Sequence, residues 1–270
     1  MYEKRFYRDL FKGDNLKFFN VCVFETDLSI GVCEDSLSFE DNYGAEKNNY
    51  STEKSLENNL IENTAIYRYA LRSVRKYRQQ IQEYIKIHPE FLTSLVPVAP
   101  KSDAAFIVQK MCEAAQKADV GPMAAIAGAI AELTGYDLLK YSREVIIENG
   151  GDIFIKTDTA RKIGIYAGNS PLSQKLALKI QPEQTPAGVC TSSGTVGHSL
   201  SFGKADAVVI VAKDAFLADA VATSTGNKVK TPNDIESALN YASTIDGVSG
   251  AVIIIGDKIG AWGEIELTKF

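Results

Sequence analysis

The chain has 270 residues, of which 45% are hydrophobic and 23% are charged, a composition typical of globular proteins. It contains no run of eighteen apolar residues, so the sequence predicts no transmembrane helix. The N-terminal "MYEKRFYRDLFKGDNLKFFNV" lacks the apolar core of a signal peptide, and the four cysteines have irregular spacing. We therefore expect a cytoplasmic protein with reduced thiols.

The net charge of −5 is concentrated in one segment. Residues 34–63 hold eight acidic residues and two lysines and few apolar residues. Such a segment buries too little surface to offset its ordering entropy, so we predict a mobile acidic insertion within a single domain over residues 1–270. The remainder is nearly neutral, which argues against nucleic-acid binding.

The first half of the sequence predicts two strands and three helices. The strands are "KFFNVCVFE" and "LSIGVC", with a turn at Thr26 and Asp27. A strongly periodic helix is predicted over residues 64–88, followed by Pro89. Two further helices are predicted, one over residues 102–118 with a serine N-cap and one from Pro122 to Gly135.

The second half changes to a strand pattern. "REVIIENGGDIFIK" predicts a hairpin with Gly150 and Gly151 at its turn, and several short strands follow. Asp214 is the predicted cap of a helix that ends near Gly226, and Pro232 begins another helix. Because helices occur in pairs between antiparallel strands, we predict the α+β class.

The segment over residues 188–227 carries the richest side-chain chemistry. Cys190 and Ser193 lie eight and five residues from His198, so a nucleophile with a base is one interpretation. Two histidines in the whole chain do not supply a zinc site. A third interpretation is that the hydroxyls and backbone amides of "TSSGTVGHS" bind a phosphate or a flavin ring.

Asp219 and Thr223 lie four residues apart on the helix that follows, so their oxygens project from one face. A carboxylate and a hydroxyl suit Mg²⁺, which keeps several waters and needs few protein ligands. The alternative is that Asp219 pairs with a lysine and Thr223 bonds to a carbonyl of its own helix.

Three sequence segments resemble motifs of one superfamily. "GVCTSSGTVGHSLSFGKADAVVIVAKDAFLADAVAT", "ENGGDIFI" and "AAIAGAIAE" resemble the core motifs of the ApbE-like superfamily of FAD-dependent flavin transferases. The resemblance covers roughly residues 90–267 and is closest to a branch common in archaea and anaerobic bacteria. It implies a T-fold-related arrangement of antiparallel sheets with helix pairs packed on them.

The resemblance also implies site residues. Mg²⁺ would be held by Asp219, Thr223 and the carbonyl of Ala127, and FAD or FMN would be the bound nucleotide. The residues expected to line the nucleotide pocket are Gly150, Gly151, Thr191, Ser192, Ser193 and Gly194. His198 would contact the ligand or shuttle a proton, or else cap its own hairpin. The sequence departs from the transferases after this histidine, where Ser201 stands at the position of an aspartate.

The resemblance implies two alternative functions. The first is a Mg²⁺-dependent transferase of FMN or a nucleotide hydrolase. The alternative is an accessory protein of anaerobic sulfur metabolism, working with protein partners in sulfide incorporation into homocysteine; it predicts that Cys190 is exposed with a depressed pKa. The small-residue helix and the edge strands permit a homo-oligomer.

Overall fold

The computed structural model describes Arg8 and residues 15–38, 64–196 and 201–270. The strands in these ranges are β1 (Leu16–Val23), β2 (Thr26–Cys33), β3 (Val145–Asn149), β4 (Asp152–Lys156), β5 (Arg161–Gly164), β6 (Leu176–Ile180), β7 (Ala187–Ser192), β8 (Ala207–Ala212), β9 (Val248–Ile255), β10 (Lys258–Gly263) and β11 (Glu266–Lys269). The α-helices are α1 (Ala65–Ile87), α2 (Glu90–Thr93), α3 (Phe106–Ala118), α4 (Ile126–Leu138), α5 (Ala215–Lys228) and α6 (Ile235–Ser243). Short 3₁₀ segments cover Glu34–Ser38, Pro122–Ala125, Pro182–Gln184 and Pro232–Asp234.

The strands form two antiparallel sheets. The larger has eight strands in the order β1-β2-β3-β4-β7-β8-β9-β10, and the smaller has three in the order β11-β6-β5. Every strand pair in both sheets is antiparallel. The α+β prediction is therefore confirmed.

Strand β8, "AVVIVA", explains how the layers are arranged. All six of its residues are buried, because alternate side chains enter different cores. Val208, Ile210 and Ala212 pack into the core under the helices. Ala207, Val209 and Val211 pack into the core shared with the small sheet. The large sheet is thus covered on both faces, which is why this strand is apolar throughout.

The first helix agrees with its sequence pattern. Thr64 caps α1 by accepting a hydrogen bond from the Tyr67 amide, and Pro89 follows the end of the helix. The predicted apolar stripe is buried and consists of Ile66, Ala70, Val74, Tyr77, Ile81 and Tyr84.

Several predicted boundaries are wrong. Ser102 lies in a turn, and α3 begins at Phe106 after Ala105, which makes no side-chain cap. Gly135 does not end α4, which continues to Leu138. A Cβ on Gly135 would lie 2.2 Å from a ring carbon of Phe154, so this glycine serves helix–sheet packing.

Two other predictions concern the first hairpin and the acidic segment. The turn between β1 and β2 is at Phe24 and Glu25, and Thr26 and Asp27 are buried in β2. Of the predicted acidic insertion, Glu34–Ser38 forms a 3₁₀ segment, and residues 39–63 lie outside the described residues. Among the helices that the structure describes, none has the length and apolar character required to cross a membrane.

Candidate functional site

The candidate site lies where the β3–β4 hairpin turns. Asn149 and Asp152 pair across the end of the hairpin, and Gly150 and Gly151 form the turn with φ of 73° and 105°. Residues other than glycine rarely adopt such φ values, so the backbone of this turn favours glycine at both positions. The predicted hairpin is confirmed.

Strand β7 brings the predicted nucleotide loop to this turn. Cys190 pairs with Asp152 across the sheet, and the Thr191 amide donates to the Gly151 carbonyl at 3.1 Å. Thr191 and Ser192 are half-buried at the end of β7.

The residues that follow β7 form a tight connection. The Ser193 hydroxyl accepts hydrogen bonds from the amides of Thr195 and Val196 at 3.1 and 3.0 Å. A Cβ on Gly194 would lie 2.3 Å from the Gly203 carbonyl oxygen, so the two chain segments meet without space for a side chain. His198, the predicted catalytic residue, lies outside the described residues, which resume at Ser201.

Helix α5 projects Asp219 toward the start of α4. Asp219 Oδ2 accepts a hydrogen bond from the Gly128 amide at 2.9 Å, and the Ala127 amide also donates to this carboxylate. This differs from the alternative in which Asp219 pairs with a lysine. Burial raises the pKa of Asp219 to about 7, against the lowering effect of the two amides.

The other two predicted metal ligands differ in how they are placed. The Ala127 carbonyl accepts a hydrogen bond from the Asn149 side chain at 3.1 Å, which ties the start of α4 to the hairpin. A carbonyl oxygen has a second lone pair, so this bond leaves it able to accept another partner. Thr223 is half-buried, one turn along α5 from Asp219.

Asp152 adds a second buried carboxylate that the predicted ligand set omits. Burial and the neighbouring carboxylates of Asp219 and Glu148 raise the pKa of Asp152 well above its ordinary value. Asp152 belongs to the Gly-Gly-Asp segment of the hairpin, so the sequence carried a signal for it.

Glu148 was also missed at the sequence level. It is buried in β3, and its Oε1 accepts the Gly151 amide at 2.8 Å. A glutamate inside the apolar run "VIIEN" is the signal that could have identified it, because buried acids require partners.

The thiol of Cys190 is fully buried. Burial, together with the negative charges of Asp152 and Asp219, raises its pKa well above the ordinary value. The prediction of an exposed Cys190 with a depressed pKa is therefore wrong. Its sulfur lies 3.6 Å from the Ala215 carbonyl, so it occupies a packed position beneath α5.

The donor set fits a hard cation by its chemistry. Asp219 carboxylate, Thr223 hydroxyl and Ala127 carbonyl are oxygen donors of the kind Mg²⁺ prefers. Two buried acids side by side, Asp152 and Asp219, would also be stabilised by a nearby positive charge. Within the described part of the chain, no three His, Cys, Asp or Glu side chains are grouped as a metal site, so the cation would depend on hydroxyl, carbonyl and water oxygens.

A separate cleft lies beside Glu132. It has a volume of about 380 Å³ and is lined by residues of α3, α4 and α5 and of the β8–α5 connection, including Phe106, Glu132, Tyr136 and Lys213. None of the predicted site residues lines it.

Comparisons with known proteins identify the family to which the chain belongs. The family model described as "AbpE bacteria" matches residues 8–266. A UPF0280 protein from Methanococcus aeolicus is 45% identical over 201 residues, covering 73% of this chain and 81% of the relative. A UPF0280 protein from Methanothermobacter thermautotrophicus is 44% identical over 193 residues, covering 70% of this chain and 75% of the relative.

Solved structures are more distant in sequence. Flavin transferase ApbE from Vibrio cholerae is 12% identical with a TM-score of 0.48, covering 92% of this chain and 97% of that chain. The ApbE protein from Thermotoga maritima is 11% identical with a TM-score of 0.49, covering 91% and 96%.

The family model and the archaeal relatives confirm, at the level of the family, the resemblance drawn from the three sequence motifs. Since the family model spans nearly the whole chain and archaeal relatives align with most of it, the chain belongs to the ApbE-like family described as "AbpE bacteria".

Proposed function

We propose that the protein is a Mg²⁺-dependent enzyme that binds a flavin nucleotide and acts as an FMN transferase or a nucleotide hydrolase. The observation that carries the proposal is the meeting of Asp219, Asp152 and the start of α4 beside the Gly150–Gly151 turn. These groups come from three separate parts of the chain, and the family model covers all of them.

The cation part of the proposal rests on charge. Asp152 is a buried acid, and the neighbouring negative charges of Asp219 and Glu148 add to the cost of ionising it. We propose that Asp219, Thr223 and the Ala127 carbonyl hold Mg²⁺, with water completing its shell. When bound, Mg²⁺ would neutralise a pyrophosphate and polarise the bond to be broken.

The nucleotide part rests on the turn and the loop beside it. Gly150 and Gly151 have no side chains to keep a phosphate from the backbone, and Thr191 and Ser192 supply half-buried hydroxyls at the same edge. We propose that these residues, with Ser193 and Gly194, line the nucleotide pocket. His198 is proposed to transfer a proton, since an ordinary imidazole titrates near pH 6.5, about the range in which proton transfer is needed.

The sulfur-metabolism alternative lacks a comparable observation. It predicts an exposed Cys190 with a depressed pKa, whereas that thiol is buried with a raised pKa. A thiol protonated at neutral pH is a poor nucleophile.

The proposal is tested by isothermal titration of FAD, FMN and ADP with and without Mg²⁺. We expect Mg²⁺-dependent binding by the natural protein. Asp219→Asn keeps an acceptor for the Gly128 amide but removes the negative charge, so it should weaken the Mg²⁺-dependent affinity by at least about tenfold.

Glu132→Gln is the matched control. Glu132 is also a buried carboxylate that accepts a helix amide, but it lies one helical turn along α4 from Gly128 and accepts from the start of α5. Its substitution should leave the Mg²⁺ dependence unchanged. Absence of nucleotide binding by the natural protein under every condition, or equal Mg²⁺ dependence in Asp219→Asn, would overturn the proposal.

A further inference from the structure

Arg8 is distant in sequence from the motifs described above, yet it contacts the candidate site. Its Nε donates to Glu148 Oε2 at 2.6 Å, its Nη1 to Asp27 Oδ2 at 2.9 Å and its Nη2 to the Asp27 carbonyl at 2.8 Å. The Arg8 side chain is 10% exposed and both carboxylates are 2% exposed. Arg8 therefore joins two buried acids on neighbouring strands.

Glu148 connects this ion cluster to the glycine turn. While Oε2 accepts from Arg8, Oε1 accepts the Gly151 amide at 2.8 Å. The Gly151 carbonyl in turn accepts from Thr191 at the end of β7. A continuous chain of contacts thus runs from Arg8 through Glu148 and Gly151 to the predicted nucleotide loop.

The guanidinium group suits this position for geometric reasons. Its planar fork of donors serves the Glu148 carboxylate, the Asp27 carboxylate and the Asp27 carbonyl together. Although burial opposes it, the negative charges of Glu148 and Asp27 raise the pKa of Arg8, so it stays charged. Loss of Arg8 would remove a charge-assisted hydrogen bond from the buried Glu148 carboxylate, which weakens the restraint on its orientation.

We propose that Arg8 is a positioning residue of the candidate nucleotide site. It holds Glu148 against the Gly151 amide and so fixes the turn that is proposed to receive the phosphate. The inference rests on the proposed function for its effect on binding, but its effect on the turn can be measured without any ligand.

The ligand-free test measures hydrogen exchange of the Gly151 amide in the full chain, using glycine-labelled protein. Arg8→Gln removes the positive charge. Arg8→Lys keeps the positive charge but lacks the planar set of N–H donors of the guanidinium group. We expect Arg8→Gln to lower Gly151 protection by at least about tenfold and Arg8→Lys to lower it less.

The second measurement is the affinity for ADP with Mg²⁺. We expect Arg8→Gln to weaken it by about tenfold, with partial recovery in Arg8→Lys. Arg161→Gln is the matched control, because Arg161 also forms a buried ion pair, with Glu144, away from the turn. It should lower thermal stability while leaving Gly151 protection and ADP affinity unchanged.

The outcomes separate the two proposals. Unchanged Gly151 protection in both Arg8 variants, or an equal loss in Arg161→Gln, would overturn the role of Arg8. Loss of protection with unchanged ADP affinity would also overturn it. If the natural protein binds no ADP, the proposed function fails, and the exchange measurement alone decides whether Arg8 sets the turn.

Discussion

Asp219 and Glu132 are two buried carboxylates with reciprocal roles. Asp219 on α5 accepts the Gly128 amide at the start of α4. Glu132 on α4 accepts the Ala215 amide at the start of α5. Each acid satisfies amides that an N-terminus leaves without helical partners, and each faces a partial positive charge. These hydrogen bonds to helix amides therefore offset part of the free-energy cost of burying the two carboxylates.

Glu132 gives a testable pH dependence. Burial and the charge of Asp214 raise its pKa to about 8, while the amides of Ala215 and Phe216 and the charge of Lys110 oppose the rise. The folded state therefore retains a proton that the unfolded chain releases near pH 4.5. The stability from this proton is fully present below pH 4.5 and is lost as the pH rises through 8.

Glu132→Gln keeps an acceptor oxygen and cannot ionise. We expect its free energy of unfolding to be close to that of the natural protein at pH 4.5 and about 3 to 5 kcal/mol higher at pH 9, measured by urea denaturation. Glu113→Gln, an exposed change on the same cleft, should show no such divergence. An equal difference at both pH values would contradict the assignment.

At the scale of elements, the close packing of helices α4 and α5 depends on Gly128. A Cβ on Gly128 would lie 2.1 Å from the Ala215 carbonyl oxygen and 3.0 Å from Cβ of Asp219. The alanine-rich sequence of α4 therefore serves close helix packing as well as the candidate site. The two helices must stay close for Asp219 and Glu132 to reach their amides.

Gly128→Ala tests this contact. Alanine favours a helix by about 1 kcal/mol over glycine, but here it would push two backbones apart. We expect the substitution to lower the free energy of unfolding by about 2 to 3 kcal/mol, measured by urea denaturation. Gly226→Ala is the matched control in α5, because the atoms nearest to its Cβ would be side-chain atoms of Ser192, at 3.3 Å, and Val208, at 3.9 Å, rather than backbone. A neutral Gly128→Ala would show that the helices separate readily.

The elements were largely predictable, but their ends were not. Periodicity identified α1, and the glycine pair identified the β3–β4 turn. The predicted helix end at Gly135 failed because a glycine needed for packing and a glycine that caps a helix look alike in sequence. A local pattern reports backbone preference, whereas Gly135 is required by the Phe154 ring on a strand that follows later in the chain.

The candidate site could be proposed from the sequence only where its motifs are local. Asp219, Thr223 and the two turn glycines were proposed from short segments. Arg8, Asp27 and Glu148 form one cluster across sequence separations of 19 and 140 residues. Sequence spacing does not predict that these residues are neighbours, because they come together only when the strands pair.

At the scale of the whole molecule, a buried network joins the two sheets. Glu144 precedes β3 of the large sheet, and Arg161 begins β5 of the small sheet. Glu144 Oε2 accepts from Arg161 at 2.8 Å and from the Thr157 hydroxyl at 2.5 Å, and Oε1 accepts from Asn15 at 2.5 Å. The two sheets are therefore linked by polar contacts as well as by their shared core.

Glu144 gives the opposite pH dependence from Glu132. Burial opposes its ionisation, but hydrogen bonds from Thr157 and Arg161 outweigh it and lower the pKa to about 2. The folded state therefore releases a proton that the unfolded chain holds below pH 4.5. Stability from this group is present above pH 4.5 and is lost as the pH falls toward 2.

Glu144→Gln should lower the free energy of unfolding by about 2 to 3 kcal/mol at pH 7, and this difference should shrink as the pH falls toward 2. Because the network spans both sheets, we expect one cooperative transition that moves as a whole, measured by far-ultraviolet circular dichroism and tryptophan fluorescence together. Glu266→Gln is the control, since Glu266 forms an exposed ion pair with Lys179 inside the small sheet and should change stability by less than about 0.5 kcal/mol. Two separate transitions in the natural protein would contradict the single-domain prediction, and a pH-independent effect of Glu144→Gln would show that its charge does not link the sheets.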